Sequence, residues 1–167
     1  MLRLIIVLMA VLLFITGCSS QPADIKQGSS GDAIFIHITK NGISADASEI
    51  VISNFRPGAR AEIVYRIHNG TTAAILPEIY LVDYADIADY SQANGAVKAP
   101  VKVSEWLIIP KLDDVPPGEI TDFTVVIEIP KGVKDIPDKF GFQVQVAGNN
   151  GGIVQTAIGT WWLINMR

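Results

Sequence analysis

Three carboxylates recur at every third position in one acidic stretch: Asp83, Asp86 and Asp89. Clustered oxygen donors on a loop are what a hard cation such as Ca²⁺ takes. The stretch lacks the glycine-containing calcium loop and its closing bidentate Glu, so these acids read first as solvated. His37 and His68 are the only histidines. Each falls on the polar or mixed face of an alternating segment, and two imidazoles without a further ligand pattern speak against zinc. A Ser/His/Asp hydrolase finds no GxSxG elbow. The residues therefore assign no catalytic group, no metal and no cofactor. A small metal-dependent or hydrolytic enzyme using residues 83–90 stands as the rival reading. It would require a metal-dependent gain in thermal stability that needs Asp83, Asp86 and Asp89.

Aromatic side chains offer binding chemistry instead. Trp106, Trp161 and Trp162, with Tyr84 and Tyr90, could stack on a sugar or anchor a protein partner. Adjacent tryptophans on a strand face opposite sides. One of Trp161 and Trp162 should thus be core and the other outward, unless the Tyr84–Pro100 segment covers it.

The only cysteine is Cys18, so no intrachain disulfide can form. It follows Met1-Leu2-Arg3 and an unbroken apolar run from Leu4 to Ile15. A run of that length matches a signal h-region and falls short of the roughly 20 residues of a spanning helix. Ile15-Thr16-Gly17-Cys18 resembles the lipobox of prokaryotic lipoproteins. The resemblance implies that residues 1–17 are a signal peptide, cut before Cys18, and that the Cys18 thiol carries a diacylglycerol with palmitate-type chains. Two chains hold where one is marginal, at about 0.8 kcal/mol per buried CH₂. The protein is then expected in the cell envelope, on the outer side of the cytoplasmic membrane. In a diderm host, Ser19 would suit the outer membrane.

The net charge is −4, and residues 1–17 contribute only Arg3 to it. A mildly acidic chain without a basic cluster speaks against nucleic acid and against electrostatic docking on anionic lipid.

Whatever binds must be positioned by the rest of the chain. Residues 18–32, rich in Ser, Gly and Gln, read as the lipidated Cys plus a flexible tether spanning roughly 20 Å. From Ala33 onward the pattern alternates with period two, which means strands with one buried face. Ile34, Ile36 and Ile38 oppose Phe35, His37 and Thr39. Ala61, Ile63, Tyr65 and Ile67 oppose Arg60, Glu62, Arg66 and His68. Phe123, Val125 and Ile127 oppose Thr124 and Glu128, and Phe140, Phe142, Val144 and Val146 oppose Gln143 and Gln145. Turn chemistry separates the runs: Asn41-Gly42, Pro57-Gly58, Asn69-Gly70, Pro116-Pro117-Gly118 and Asn150-Gly151. Strands are predicted near 34–39, 49–54, 60–68, 74–83, 105–109, 120–129, 140–147 and 153–165. These make one all-β domain over 33–167, an Ig-like antiparallel β-sandwich of about 7–9 strands.

The order of features is similar to the Ig-like modules beside surface glycosidases, such as the alpha-galactosidase-associated module. Pro57-Gly58 precedes AEIVYRIHN, Trp106 lies in EWLIIP, Pro117-Gly118-Glu119 leads into TVVIEIP, and FGFQVQV follows. The resemblance covers residues 55–147 and implies an accessory, noncatalytic role. The Tyr84–Pro100 insertion departs from it. The expected function is a lipid-anchored envelope module that binds or assembles with a protein or glycan. A structural spacer subunit of an envelope complex is the other noncatalytic reading.

Overall fold

Strict alternation produces strand. Ile34, Ile36 and Ile38 are each fully buried in one strand, and Ile63, Tyr65 and Ile67 in another. The computed structural model describes residues 23–27, 33–82, 97–100, 103–149 and 155–167. The calls on Cys18, Asp83, Tyr84, Asp86, Asp89 and Tyr90 lie outside them.

The described strands are β1 (Asp24–Gln27), β2 (Ile34–Thr39), β3 (Gly42–Ala45), β4 (Glu49–Phe55), β5 (Arg60–Gly70), β6 (Glu78–Val82), β7 (Val97–Lys98), β8 (Leu107–Ile108), β9 (Ile120–Glu128), β10 (Lys139–Asn149) and β11 (Gln155–Met166), with one helical turn, α1 (Val103–Trp106). They form an all-β sandwich. The first sheet runs β1-β4-β11-β10-β6, with β7 also on β10, and the second runs β3-β2-β5-β9-β8.

The sheets are mixed rather than purely antiparallel. β2 pairs parallel with β5, β4 with β11, and β7 with β10. The reason is the crossover. After the β2–β3 hairpin the chain joins the first sheet as β4 and returns to the second as β5, running alongside β2. Parallel neighbours require such a long connection, and period two reports faces, not neighbours. The strands also outnumber the expectation, because β1, β3 and β7 are short and carry little alternation. β1 lies inside the stretch expected to be tether. It pairs antiparallel with β4 from Asp24↔Ser53 to Gln27↔Ile50, and Asn54 Nδ2 donates to the Asp24 carboxylate at 2.7 Å. The expected strand near 105–109 is instead α1 followed by the two-residue β8. The one near 74–83 begins at Glu78, after Pro77.

Between the sheets, the Tyr65 and Phe123 rings stack at 5.0 Å with planes 7° apart. Trp162 is tilted against Phe142 at 5.5 Å, and its Nε1–H donates to the Tyr65 hydroxyl at 2.9 Å. Burial pushes the Tyr65 phenol above its ordinary value, and its hydrogen bonds with Trp162 and Thr160 partly offset this.

Candidate functional site

β6 ends the first sheet and β8 ends the second, and the segments beside them meet on one side of the sandwich. A groove of about 510 Å³ opens along this side, between residues 76–80 and residues 109–112. Proline punctuates both walls: Pro77 precedes β6 and Pro110 follows β8. Ile79 and Leu112 are half-buried against the core and make the floor. Leu76 and Tyr80 are 46% and 39% exposed and make one wall. Glu78 and Lys111 put polar groups into the lining. The surface is thus apolar, concave and bordered by a strand edge.

The tryptophans expected to bind are not available for it. Trp106 is only 4% exposed, with its ring edge-on to Phe140 at 6.3 Å. The helical turn of α1 tucks it into the core. Trp162 is fully buried, so it is the inward member of the pair. Trp161 has the outward parity, but it is 8% exposed and so presents no open ring. Beside it the outer face of the first sheet is close-packed: a Cβ on Gly159 would collide with the amide of Gln143. Parity assigned the faces of Trp161 and Trp162, but facing outward from a sheet is not the same as facing solvent.

No protein-family model matches this chain, and comparison with curated proteins yields no match. The chemistry of the described surface therefore carries the functional reading.

A polar constellation lies on the outer face of the second sheet. His37 of β2 pairs in register with His68 of β5. Their Nδ1 atoms are 3.0 Å apart. One register step away, Arg66 Nε and Nη2 donate to the two carboxylate oxygens of Asp122 on β9, at 2.8 and 2.7 Å. These hydrogen bonds hold the Asp122 carboxyl below the usual carboxylate range. Among the described residues, no group of three or more His, Cys, Asp or Glu side chains is placed to hold a metal ion. Sequence reasoning put both histidines on polar faces without bringing them together, because their contact depends on the parallel β2–β5 register. The groove had no sequence signal, since its lining comes from two short irregular stretches.

Proposed function

We propose that this protein is a lipid-anchored, noncatalytic envelope module whose side groove docks an extended segment of a partner protein. The groove at the β6 edge carries the reading. An extended peptide can run beside a strand edge and place alternate side chains into apolar hollows. Leu76, Leu112 and Pro110 offer aliphatic surface suited to such side chains. Among the described residues of the groove, a glycan, the rival occupant, would find one exposed ring, Tyr80. The anchor rests on the lipobox sequence at Cys18, and the domain would then present its groove outside the membrane.

Two experiments test this. Cys18→Ser should abolish incorporation of labelled fatty acid and leave the chain as precursor or soluble protein. A variant that still takes up the label defeats the anchor. For docking, a photo-crosslinking residue at Leu76 or Leu112 of the anchored protein should trap one discrete protein adduct in intact cells. The same probe at Lys40, in the turn joining β2 to β3, the edge strand at the other end of the second sheet, should not. Leu112→Asp should abolish capture without unfolding the domain. Equal adducts at all three positions, or none, would remove the docking reading. Glycan capture lost in Tyr80→Ala, with no protein adduct, would replace the partner segment by a sugar.

A further inference from the structure

We propose that His37 and His68 form a two-imidazole chelate for a divalent transition-metal ion, with Cu²⁺ held most tightly. The site is independent of the side groove, since it lies on the outer face of the second sheet. β2 and β5 run parallel with His37 directly opposite His68, so both side chains leave the same face of adjacent strands. β5 is flanked by β2 and β9, so the backbone beneath the pair is held on both sides. The Phe35 ring packs 4.8 Å from that of His37 and limits where the imidazole can swing. The two imidazole planes stand at 81° to each other.

The decisive quantity is the 3.0 Å between the two Nδ1 atoms. Two nitrogens each about 2.0–2.1 Å from one ion, at a cis angle near 90°, lie roughly 2.8–3.0 Å apart. The spacing is that of two cis ligands on one ion, and a small turn of the rings aims both Nδ1 lone pairs at it. In the metal-free neutral pair the same distance is bridged by one Nδ1–H···Nδ1 hydrogen bond. One ring then carries its proton on Nδ1 and the other on Nε2. Metal binding moves the bridging proton to Nε2 of its own ring by exchange with water, leaving two Nδ1 lone pairs on the ion. Both rings stay neutral, and no proton is released overall. Waters complete the coordination.

Ligand type ranks the ions. Imidazole without thiolate suits Cu²⁺, Ni²⁺ and Zn²⁺, and Cu²⁺ stands highest in the affinity order, whereas Ca²⁺ and Mg²⁺ prefer oxygen. The Arg66 guanidinium on the same strand is paired with Asp122, which offsets its charge toward an incoming cation.

The test is titration of the detergent-solubilised full chain with Cu²⁺, Ni²⁺, Zn²⁺ and Ca²⁺. One Cu²⁺ per chain should bind, with electron paramagnetic resonance showing nitrogen coordination, and Ca²⁺ should not compete. His37→Ala and His68→Ala should each weaken Cu²⁺ binding about tenfold or more, because each converts a chelate into a single ligand. Metal-free thermal melts establish that the variants are folded. His37 is exposed, so His37→Ala alone decides the matter if His68→Ala unfolds. Unchanged Cu²⁺ affinity in His37→Ala, or a resonance signal without nitrogen coupling, would overturn the proposal.

Discussion

Asn69→Ala is expected to lower the stability of the sandwich by about 1–3 kcal/mol, the cost of leaving a buried donor without its acceptor. Asn69 has no exposed surface. Its Nδ2 donates to the carbonyls of Ala73 and Val115, both at 2.8 Å. Its Oδ1 accepts from the Thr71 backbone N–H at 2.9 Å and the Thr71 hydroxyl at 2.7 Å. Its backbone N–H donates to the Glu119 carbonyl, and its own carbonyl accepts from Gly118 N–H. The side chain thus ties the end of β5 to Ala73 before β6 and to Val115 at the start of the Pro-rich turn, while the backbone bonds hold residues 118 and 119. Alanine leaves the buried Thr71 N–H without its acceptor and removes the amide's two donated bonds, whereas the Val115 carbonyl keeps the Ile75 N–H and the Ala73 carbonyl keeps the Thr71 hydroxyl. Asn69→Asp is expected to do at least as much harm at pH 7, because a buried carboxylate would face two carbonyl oxygens. Burial would raise the folded-state pKa of that Asp above its unfolded value of about 3.9. Its penalty should therefore shrink as pH falls toward 4, where the protonated acid can donate one hydrogen bond. Urea unfolding of both variants at pH 7 and pH 4, each against the parent at the same pH, checks this. A loss below about 1 kcal/mol for Asn69→Ala would show that the turn holds without its amide. The stretch Asn69 secures leads into Leu76, so a loosened turn should also weaken partner capture by the groove.

The contrast between Asn69 and its neighbours shows what the sequence makes legible. Ile63, Tyr65 and Ile67 announce their burial by alternation, as do Phe123, Ile127, Phe142 and Val144. Asn69-Gly70 announces only a turn, and nothing in its identity says that the amide will be sealed in. That depends on residues 115–119 arriving from the other side of the β5–β9 ladder. The same limit applies to the His37–His68 contact and to the parallel β2–β5 and β4–β11 pairs, all of which are long-range register. Trp106 eluded the pattern for a local reason: one helical turn resets the phase of a run that looks like strand. Gln143 shows the converse error. Its parity is outward, yet it is only 9% exposed. It lies across Gly159, which has no side chain to keep it away. For the groove, the residues that matter are the ones that fail to alternate.

Trp162→Ala is expected to destabilise the domain by about 3–5 kcal/mol, the range for a buried aromatic cut back to a methyl group. Trp162 sits in β11 between Phe142 of β10 and Ile50 of β4 in the register of the first sheet. It is fully buried. Its indole N–H reaches across to Tyr65 of the second sheet, which in turn stacks on Phe123. The residue therefore combines volume with a hydrogen bond between the two layers. The two contributions can be separated. Trp162→Phe keeps much of the volume but loses the donor, and Tyr65→Phe loses the acceptor while keeping the ring. If the inter-sheet hydrogen bond stabilises the fold, the double variant should be less damaging than the sum of the singles, by about 0.5–1.5 kcal/mol. Trp161→Ala supplies the comparison one position along. Its near-complete burial means that removing it should cost something, but its ring lies outside the inter-sheet core and lacks the bond to Tyr65, so the cost should be clearly smaller. Chemical denaturation of the five variants measures all of this. Equal losses for Trp161→Ala and Trp162→Ala would contradict the assigned facing of β11. Strict additivity in the cycle would mean that the indole–phenol contact contributes no net stability, and that Trp162 holds the sheets together through packing alone.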